Sequence, residues 1–344
     1  MKPITRWAAG LAALAALLAT TACQDYALTR PEMTDVFFQD PPSAVDILLI
    51  VDNSCSMMDE QTKLSAGFQE FVTYFEFADV DYHIGVVTTD TADPNQSGRL
   101  RGNTKWIEPG TADAATVFQQ NVMVGTNGSG SEKGLDAARK ALGPEMVNGH
   151  NAGFLREDAY LSLIFVSDEE DYSSEPVANY INFFWSLKGE RERGSFNASS
   201  LVGADEGGQP ADCGDTGDPY SGANAAHRYV DVAAQTGGVI RSICADDFTP
   251  IITEMGLNTS RLTDRFQLSK APDPHSIEVE LTPPDEEMRM IEAGDADHPW
   301  EYRLEGEGEE ETYWIVFVGQ MPPVNSKIVI RYDLGDGAPV DGGE

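Results

Sequence analysis

Residues 45–57 read VDILLIVDNSCSM, and this stretch decides the fold of the chain. Six of the first seven side chains are apolar, which is typical of a strand buried on both faces of a parallel sheet. The apolar run stops at Asp52, and small polar residues follow it. The stretch therefore predicts a central strand that delivers polar groups to one edge of a sheet.

Helical and strand patterns alternate after this strand. Leu64, Phe68, Phe71, Val72 and Phe75 recur with the period of one helix face. Further strands are predicted at 82–89, 161–166, 196–202 and 239–244, and further helices at 114–122, 131–142, 223–235, 248–257 and after Pro176. The alternation continues over roughly 220 residues, which predicts an α/β domain at 44–262 with a doubly wound, mostly parallel sheet.

The C-terminal part of the chain has a different pattern. Residues 276–281 alternate between polar and apolar side chains, and 313–318 and 327–332 are rich in aromatic and β-branched residues. These segments predict a small antiparallel β unit at 271–335, with 305–311 as a solvated acidic hairpin or loop. Residues 336–344 are expected to be a tail.

The first residues differ in kind from the rest. Two basic residues precede an apolar run that is too short to span a bilayer, so 1–22 are predicted to be a signal peptide. Small residues stand directly before Cys23, as in the lipobox of bacterial lipoproteins, and lipidation of Cys23 is expected. Gln24 favours the outer membrane, and 23–43 would be a polar tether. Cleavage at a simple secretory site is the alternative.

Charge and cysteines narrow the choice of partner and compartment. The formal net charge of −34 opposes binding to nucleic acid and to anionic lipid headgroups. Export implies an oxidising compartment, where thiols tend to pair. Cys213 lies in a Gly/Asp-rich loop and Cys244 ends a strand-like run, so we expect a disulfide between them, with Cys55 unpaired.

Oxygen-bearing side chains collect where two predicted strands end. Asp52, Ser54 and Ser56 alternate on a short extended segment and can converge on one point, and Asp168 ends another strand. Ligands in an open parallel sheet bind beyond the carboxyl ends of the strands. Hard oxygen ligands suit Mg²⁺, Mn²⁺ or Ca²⁺ rather than zinc, and Mg²⁺ is our first choice.

At these residues the chain resembles the von Willebrand factor A domain family. Asp52-x-Ser54-x-Ser56 matches the metal-ion-dependent adhesion site (MIDAS) motif of that family, and residues 165–168 match the strand that supplies its later aspartate. The resemblance implies that Ser54 and Ser56 ligate the ion directly and that Asp52 and Asp168 act largely through water. A threonine completes the family's site, and counting back from Leu135 places Ser129 there.

Several positions leave alternatives open. Thr126 is the second choice for the position given to Ser129, and Ser129-x-x-Glu132 also fits a helix capping box. Cys55 and the acids at 169–171 depart from the family pattern. Those acids fit a solvated turn better than a second, Ca²⁺-type site.

The resemblance and the charge together lead to a function. We expect a cell-envelope lipoprotein, facing the periplasm or the cell surface, whose domain binds a divalent cation and through it a carboxylate of a protein or peptide partner. No catalysis is expected, because no Ser/His/Asp or HExxH spacing stands out. The alternatives are a metal-dependent hydrolase and an acidic Ca²⁺-binding or salt-adapted protein without a specific partner.

Overall fold

The computed structural model describes residues 31–188, 195–214, 222–306, 308 and 311–335. The expected signal peptide, Cys23 with its lipid, and the tail at 336–344 lie outside these residues. Within them, no helix combines the length and the apolar character needed to cross a membrane.

The strands of the described residues define two regions, one α/β and one all-β. In chain order they are β1 (Glu32–Phe38), β2 (Ala44–Val51), β3 (Asp81–Thr88), β4 (Trp106–Ile107), β5 (Tyr160–Ser167), β6 (Phe196–Val202), β7 (Cys213–Gly214), β8 (Gly222–Ala223), β9 (Ile240–Ser242), β10 (Arg265–Gln267), β11 (Glu278–Thr282), β12 (Arg289–Ile291), β13 (Trp300–Glu305), β14 (Thr312–Phe317) and β15 (Lys327–Asp333). The α-helices are Met58–Ala66, Phe68–Phe77, Ala114–Val122, Gly134–Ala141, Pro144–Val147, Val177–Ser186, His227–Thr236 and Thr249–Ser260.

The central sheet has the strand order β4-β3-β2-β5-β6-β9. Every neighbouring pair is parallel except β3 with the short edge strand β4. β2 pairs along its length with β3 on one side and β5 on the other, so the apolar run of residues 45–51 is the middle of the sheet. The predicted fold class, a doubly wound and mostly parallel α/β sheet with separate antiparallel strands, is confirmed.

Helices cover both faces of this sheet. One core contains alternate residues of β2, such as Ile47 and Leu49, together with Phe71, Phe75 and the last helix. The other contains Leu48 and Ile50 of the same strand and the helices at 134–141, 177–186 and 227–236. Burial on both faces explains why β2 lacks the polar alternation of a surface strand.

The all-β region consists of two antiparallel sheets. Their strand orders are β1-β15-β11-β12 and β10-β14-β13, and they share one apolar core that includes Phe266, Ile315 and Ile330. Strands β13 and β14 pair antiparallel from Trp300↔Phe317 to Glu305↔Thr312, and residues 307, 309 and 310 of the expected acidic hairpin or loop lie outside the described residues.

The interpretation of the whole of 23–43 as a tether is wrong. Residues 32–38 form β1, which pairs with β15 from Glu32↔Asp333 to Phe38↔Lys327. The inward side chains are Met33, Asp35 and Phe37, and Asp35 accepts hydrogen bonds from Tyr332 Oη at 2.9 Å and Ser269 N at 2.9 Å. A buried partner thus compensates the polar residue in the middle of this strand.

Because β1 belongs to the β region, the α/β domain is inserted into it. Gln39 stands where the chain enters the domain and Thr263 where it leaves. The Gln39 side chain donates from Nε2 to Thr263 O at 2.7 Å and accepts from Thr263 N at 3.1 Å. Its backbone also pairs with residues 325 and 326 before β15. Both ends of the inserted domain are therefore fastened at one point.

The expected disulfide is present in the structure. Cys213 and Cys244 are joined, with 6.0 Å between their Cα atoms, and Cys55 keeps an exposed free thiol. The bond ties the short ribbon of β7 and β8 to the end of β9, next to the carboxyl edge of the sheet.

Candidate metal centre

Three neighbouring strands end together at the carboxyl edge of the central sheet. Val51 of β2 lies in register with Thr88 of β3 and Val166 of β5. Asp52, Thr89 and Asp168 follow these strand ends, and Asp52 N donates to Val166 O at 2.9 Å. The parallel register thus places these three polar residues side by side, and we call them, with Ser54, Ser56 and Glu132, the rim.

Asp52 is the most strongly oriented side chain of the rim. It is fully buried, and its Oδ1 accepts from Ser54 N at 2.7 Å while its Oδ2 accepts from Ser167 Oγ at 2.6 Å. The same turn places Ser54 Oγ 3.2 Å from Ser56 Oγ. The structure therefore brings the three predicted residues of the Asp-x-Ser-x-Ser motif together.

Glu132 is a rim residue that the sequence reasoning did not identify. It is 0% exposed, accepts a hydrogen bond from the Thr89 hydroxyl, and lies within hydrogen-bonding reach of the Asp52 carboxyl. The one indication in the sequence is its position in a Gly/Ser-rich loop, two residues before the Gly134-Leu135 pair that opens a helix. The capping-box interpretation is wrong, because this helix begins at Gly134 and not after Ser129. Its first amides donate to side chains of other segments, namely Tyr229 Oη at 3.0 Å, Asp171 Oδ1 at 3.2 Å and Ser173 Oγ at 2.9 Å.

Ser129, predicted to complete the site, has a local role in the structure. It is half-buried, and its Oγ accepts from Ser131 N at 3.1 Å within the same loop. The loop itself lies against the rim, since Gly128 N donates to Asn53 O at 2.8 Å. Glu132 rather than Ser129 is the side chain of this loop that reaches Asp52 and Thr89 in the described structure.

Burial makes ionisation of the rim carboxylates unfavourable. It raises the pKa of Asp52, although hydrogen bonds from Ser167 and Ser54 lower it. Burial, together with the nearby charge of Asp52, raises the pKa of Glu132 to about 8. Burial also raises the pKa of Asp168 to about 7, against a hydrogen bond with Ser56. The three acids lie close together and no cationic side chain of the described chain forms an ion pair with any of them.

The acids that follow Asp168 have a different environment. Glu170 accepts from His227 N at 2.9 Å and Arg228 N at 3.1 Å at the start of a helix, and Asp171 pairs with Arg228 Nε at 2.8 Å. Glu169 accepts from Asn224 Nδ2 at 2.6 Å. The expectation of a solvated turn at 169–171 is wrong, because these side chains fasten a helix to the sheet.

Two buried carboxylate oxygens without hydrogen-bond partners indicate that the rim could bind a cation. Oε1 of Glu132 and Oδ1 of Asp168 are buried and have no hydrogen-bond partner in the described structure. A buried carboxylate oxygen without a partner is costly, and a bound cation would remove that cost. No three Asp, Glu, His or Cys side chains among the described residues converge tightly enough to hold an ion by themselves. The donor set that fits an ion therefore includes the hydroxyls of Ser54, Ser56 and Thr89 as well as carboxylates.

Comparison with known proteins gives distant structural matches. Neither a protein-family pattern nor a curated protein matches the sequence. The structure is similar to proximal thread matrix protein 1 from the mussel byssus, with 10% identity and a TM-score of 0.38 over 69% of this chain and 52% of that one. A structure of the same mussel protein with a zinc-occupied MIDAS motif has a TM-score of 0.39 at 10% identity, again over 69% and 52%.

A third match is the pilus adhesin SpaC from Lactobacillus rhamnosus GG in its open conformation. It has 11% identity and a TM-score of 0.34 over 88% of this chain and 42% of that one. The chain thus spans about half the length of the structures it matches. The strand order and the parallel register of the central sheet define the fold of this chain.

Proposed function

We propose that the α/β domain is a cation-dependent binding module of the cell envelope. The observation that supports it best is the pair of unpartnered buried carboxylate oxygens, on Glu132 and Asp168, beside the oriented carboxylate of Asp52. The rim would hold one divalent cation, with Mg²⁺ as first choice and Ca²⁺ or Mn²⁺ as alternatives. When bound, the ion would supply an open coordination position for a carboxylate of a protein or peptide partner.

The residues of the rim would have different roles in binding the cation. Ser167 and Ser54 N hold the Asp52 carboxylate in one orientation, and Ser54 and Ser56 present their hydroxyls next to it. Glu132 adds a negative charge that serine or threonine would not supply, and Thr89 fixes its position. A third carboxylate favours tighter cation binding than two carboxylates with hydroxyls alone.

We infer binding rather than catalysis from the donors around these acids. The groups that hydrogen bond to Asp52 and Glu132 are hydroxyls and a backbone amide. Within the described residues no histidine side chain contacts them as a general base would. For the location, the lipobox-like residues before Cys23 favour a lipid anchor at the outer membrane, and the acidity of the chain disfavours nucleic acid as a partner.

Calorimetric titration of the metal-stripped mature chain with Mg²⁺, Mn²⁺ and Ca²⁺ tests the proposal. We expect saturable binding that Asp52→Asn and Asp168→Asn each weaken at least about tenfold. Glu169→Gln is the matched control, because it removes a neighbouring charge whose carboxylate already has a protein donor. If both rim variants and the control bind the cation as the wild type does, the acidic surface binds it diffusely and the proposal is wrong.

A partner search follows from the same design. The full chain, immobilised with Mg²⁺ and with a chelator in parallel, should retain a protein or peptide only while the cation is present. Esterifying the acidic side chains of a retained peptide should abolish its binding, because the carboxylate supplies the contact. Retention that resists both the chelator and the esterification would contradict a metal-bridged carboxylate.

A further inference from the structure

Gln61 is a polar side chain in the core, on the helix that follows the Asp-x-Ser-x-Ser motif. The helix Met58–Ala66 buries two side chains, Leu64 and Gln61, and Gln61 is 0% exposed. A buried amide side chain is unfavourable unless its donors and its acceptor have partners. The partners of Gln61 therefore indicate what this residue does.

The side-chain amide of Gln61 connects two loops of the rim, the motif turn (residues 52–57) and the Gly/Ser loop (residues 125–132). Its Nε2 donates to Asp52 O at 2.9 Å and to Gly125 O at 2.9 Å. Its Oε1 accepts from Gly125 N at 3.3 Å. Both hydrogens of the amide are used, and the pair with Gly125 is cyclic because each group donates to the other. One side chain thus holds the backbone of both loops.

The motif turn and the Gly/Ser loop also contact each other directly. Gly128 N donates to Asn53 O at 2.8 Å. A side chain at Gly128 would place its Cβ 2.2 Å from Asn53 Oδ1, so this close approach requires glycine. Asn53 in turn donates from Nδ2 to Gln96 Oε1 at 3.0 Å. The position of each loop therefore depends on the other, and Gln61 fastens both to the helix Met58–Ala66.

We infer that Gln61 is a positioning residue of the rim. It fixes the motif turn and the Gly/Ser loop relative to each other, and through them the side chains of Ser54, Ser56 and Glu132. Its own amide hydrogens are used by backbone carbonyls, so Gln61 acts on a cation through these residues and not by contact. The effect on cation affinity rests on the proposed function. Residues that orient metal ligands typically change metal affinity by about 10- to 100-fold when they are replaced.

Gln39 offers a comparison that separates positioning from stability. It is also 0% exposed, and its amide forms the same cyclic pair with a backbone peptide, that of Thr263. This pair lies at the junction before β2, whereas the rim follows the opposite end of that strand. Replacing either glutamine by methionine removes the hydrogen bonds and keeps an unbranched side chain of similar length. Both variants should be less stable, and Gln61→Met should in addition disturb the rim.

Amide hydrogen exchange of the metal-free mature chain tests the positioning. The informative amides are Ser54 N and Gly128 N, which donate to residues other than Gln61. In Gln61→Met both should exchange at least about tenfold faster than in the wild type, measured relative to amides of β2, which open by global unfolding. In Gln39→Met the same ratio should stay at its wild-type value, because a general loss of stability changes both sets of amides together.

Calorimetric titration of the same variants with Mg²⁺ and Ca²⁺ tests the consequence. Gln61→Met should bind the cation at least about tenfold more weakly, and Gln39→Met should bind it as the wild type does. An unchanged exchange ratio or an unchanged affinity in Gln61→Met would overturn the inference, and so would an equal effect of Gln39→Met. Gln61→Ala, which leaves room for water, takes its place if the methionine variant does not fold. If the wild type binds no cation, the proposed function is wrong, and the exchange ratio still decides whether Gln61 holds the two loops.

Discussion

The two ends of β2 each carry a buried aspartate, and the two have opposite environments. Asp46, near the start, accepts from Arg156 Nε at 2.7 Å and Arg156 N at 2.7 Å, and Lys188 Nζ lies 3.6 Å away. Asp52, just beyond the end, is equally buried but is held by neutral donors and lies next to the carboxyl of Glu132. One end of the strand thus has a carboxylate that is paired with cations, and the other end leads to a rim whose carboxyl groups have no cationic partner among the described residues.

The difference distinguishes a carboxylate that stabilises the fold, Asp46, from carboxylates that are available to a ligand, those of the rim. The negative charge of a buried carboxylate next to two cationic side chains is neutralised within the protein. Removing one of these cations leaves an unpaired buried charge, which destabilises the fold. At the rim, neutralisation is left to protons or to something from solution, since the described chain supplies no cation there.

The largest effect is expected at Asp46, the buried aspartate near the start of β2. Arg156→Ala leaves Asp46 buried without its main partner and should lower the free energy of unfolding by about 3–5 kcal/mol. Urea unfolding of the metal-stripped protein measures it, and the cation affinity of the folded variant should stay near that of the wild type. A loss below about 1 kcal/mol would show that Lys188 alone suffices, and the contrast would weaken.

The second effect is stabilisation by the cation. A ligand that binds only the folded state at 100 times its dissociation constant adds about 2.7 kcal/mol to the free energy of unfolding. Thermal unfolding with Mg²⁺ and with chelator should show this gain in the wild type and in Glu169→Gln. Asp168→Asn, whose affinity is expected to be at least about tenfold lower, should gain no more than about 1.4 kcal/mol at the same concentration, and a full gain in that variant would remove Asp168 from the rim.

The third effect is a change in the stability of the metal-free protein with pH. Because burial raises the pKa of Asp168 to about 7 and of Glu132 to about 8, the folded protein holds protons that the unfolded chain releases near pH 4. Since the folded state binds these protons more tightly than the unfolded state, the free energy of unfolding of the metal-free protein should fall as pH rises from about 4 to about 8.

Cation affinity should change in the opposite direction over the upper part of this range. Protons must leave before the carboxylates bind a cation, so affinity should rise by up to about tenfold per pH unit for each proton released. Calorimetry at several pH values, in buffers of different ionisation enthalpy, measures the released protons. Affinity that is flat between pH 6 and pH 8, an interval set by these pKa values, would count against both acids as ligands.

The smallest effect is expected from Asp52→Asn in the metal-free protein. An amide can keep the bond from Ser54 N, and the Ser167 hydroxyl can turn to accept from it while donating to Glu169 O at 3.2 Å. We expect the free energy of unfolding to stay within about 1 kcal/mol of the wild type, because an unfavourable buried charge is removed. A loss as large as that of Arg156→Ala would make Asp52 a structural residue.

The sequence predicted those parts that local pattern determines. The apolar run of β2 and the motif after it were sufficient for the central strand and for the position of Asp52, Ser54 and Ser56. Strand β1 was missed because its pairing with β15 joins residues such as Val36 and Val329, far apart in the chain. Its two consecutive phenylalanines, Phe37 and Phe38, also obscure the alternation of a half-buried strand.

The role of Glu132 could not be predicted for a related reason. Burial of a glutamate in a loop depends on Thr89 at the end of another strand, which a linear pattern does not reveal. The acids at 169–171 were misinterpreted because their donors, Arg228 and Asn224, come from a segment more than 50 residues later. A local sequence pattern predicts where the backbone places a side chain. It does not predict which hydrogen-bond donors from distant segments of the chain will contact that side chain.

The insertion of the α/β domain after β1 has a mechanical consequence. Tension between a partner held at Asp52, Ser54 and Ser56 and an anchor that precedes residue 31 would run along one continuous stretch of backbone. This stretch is β1, the short link at Gln39, and then β2, which is held by hydrogen bonds to parallel strands on both sides. The connection to a pulled partner would therefore rely on covalent bonds and on the best-supported strand of the central sheet, while the strands of the all-β region that follow the α/β domain, β10 to β15, stay outside the path of the load.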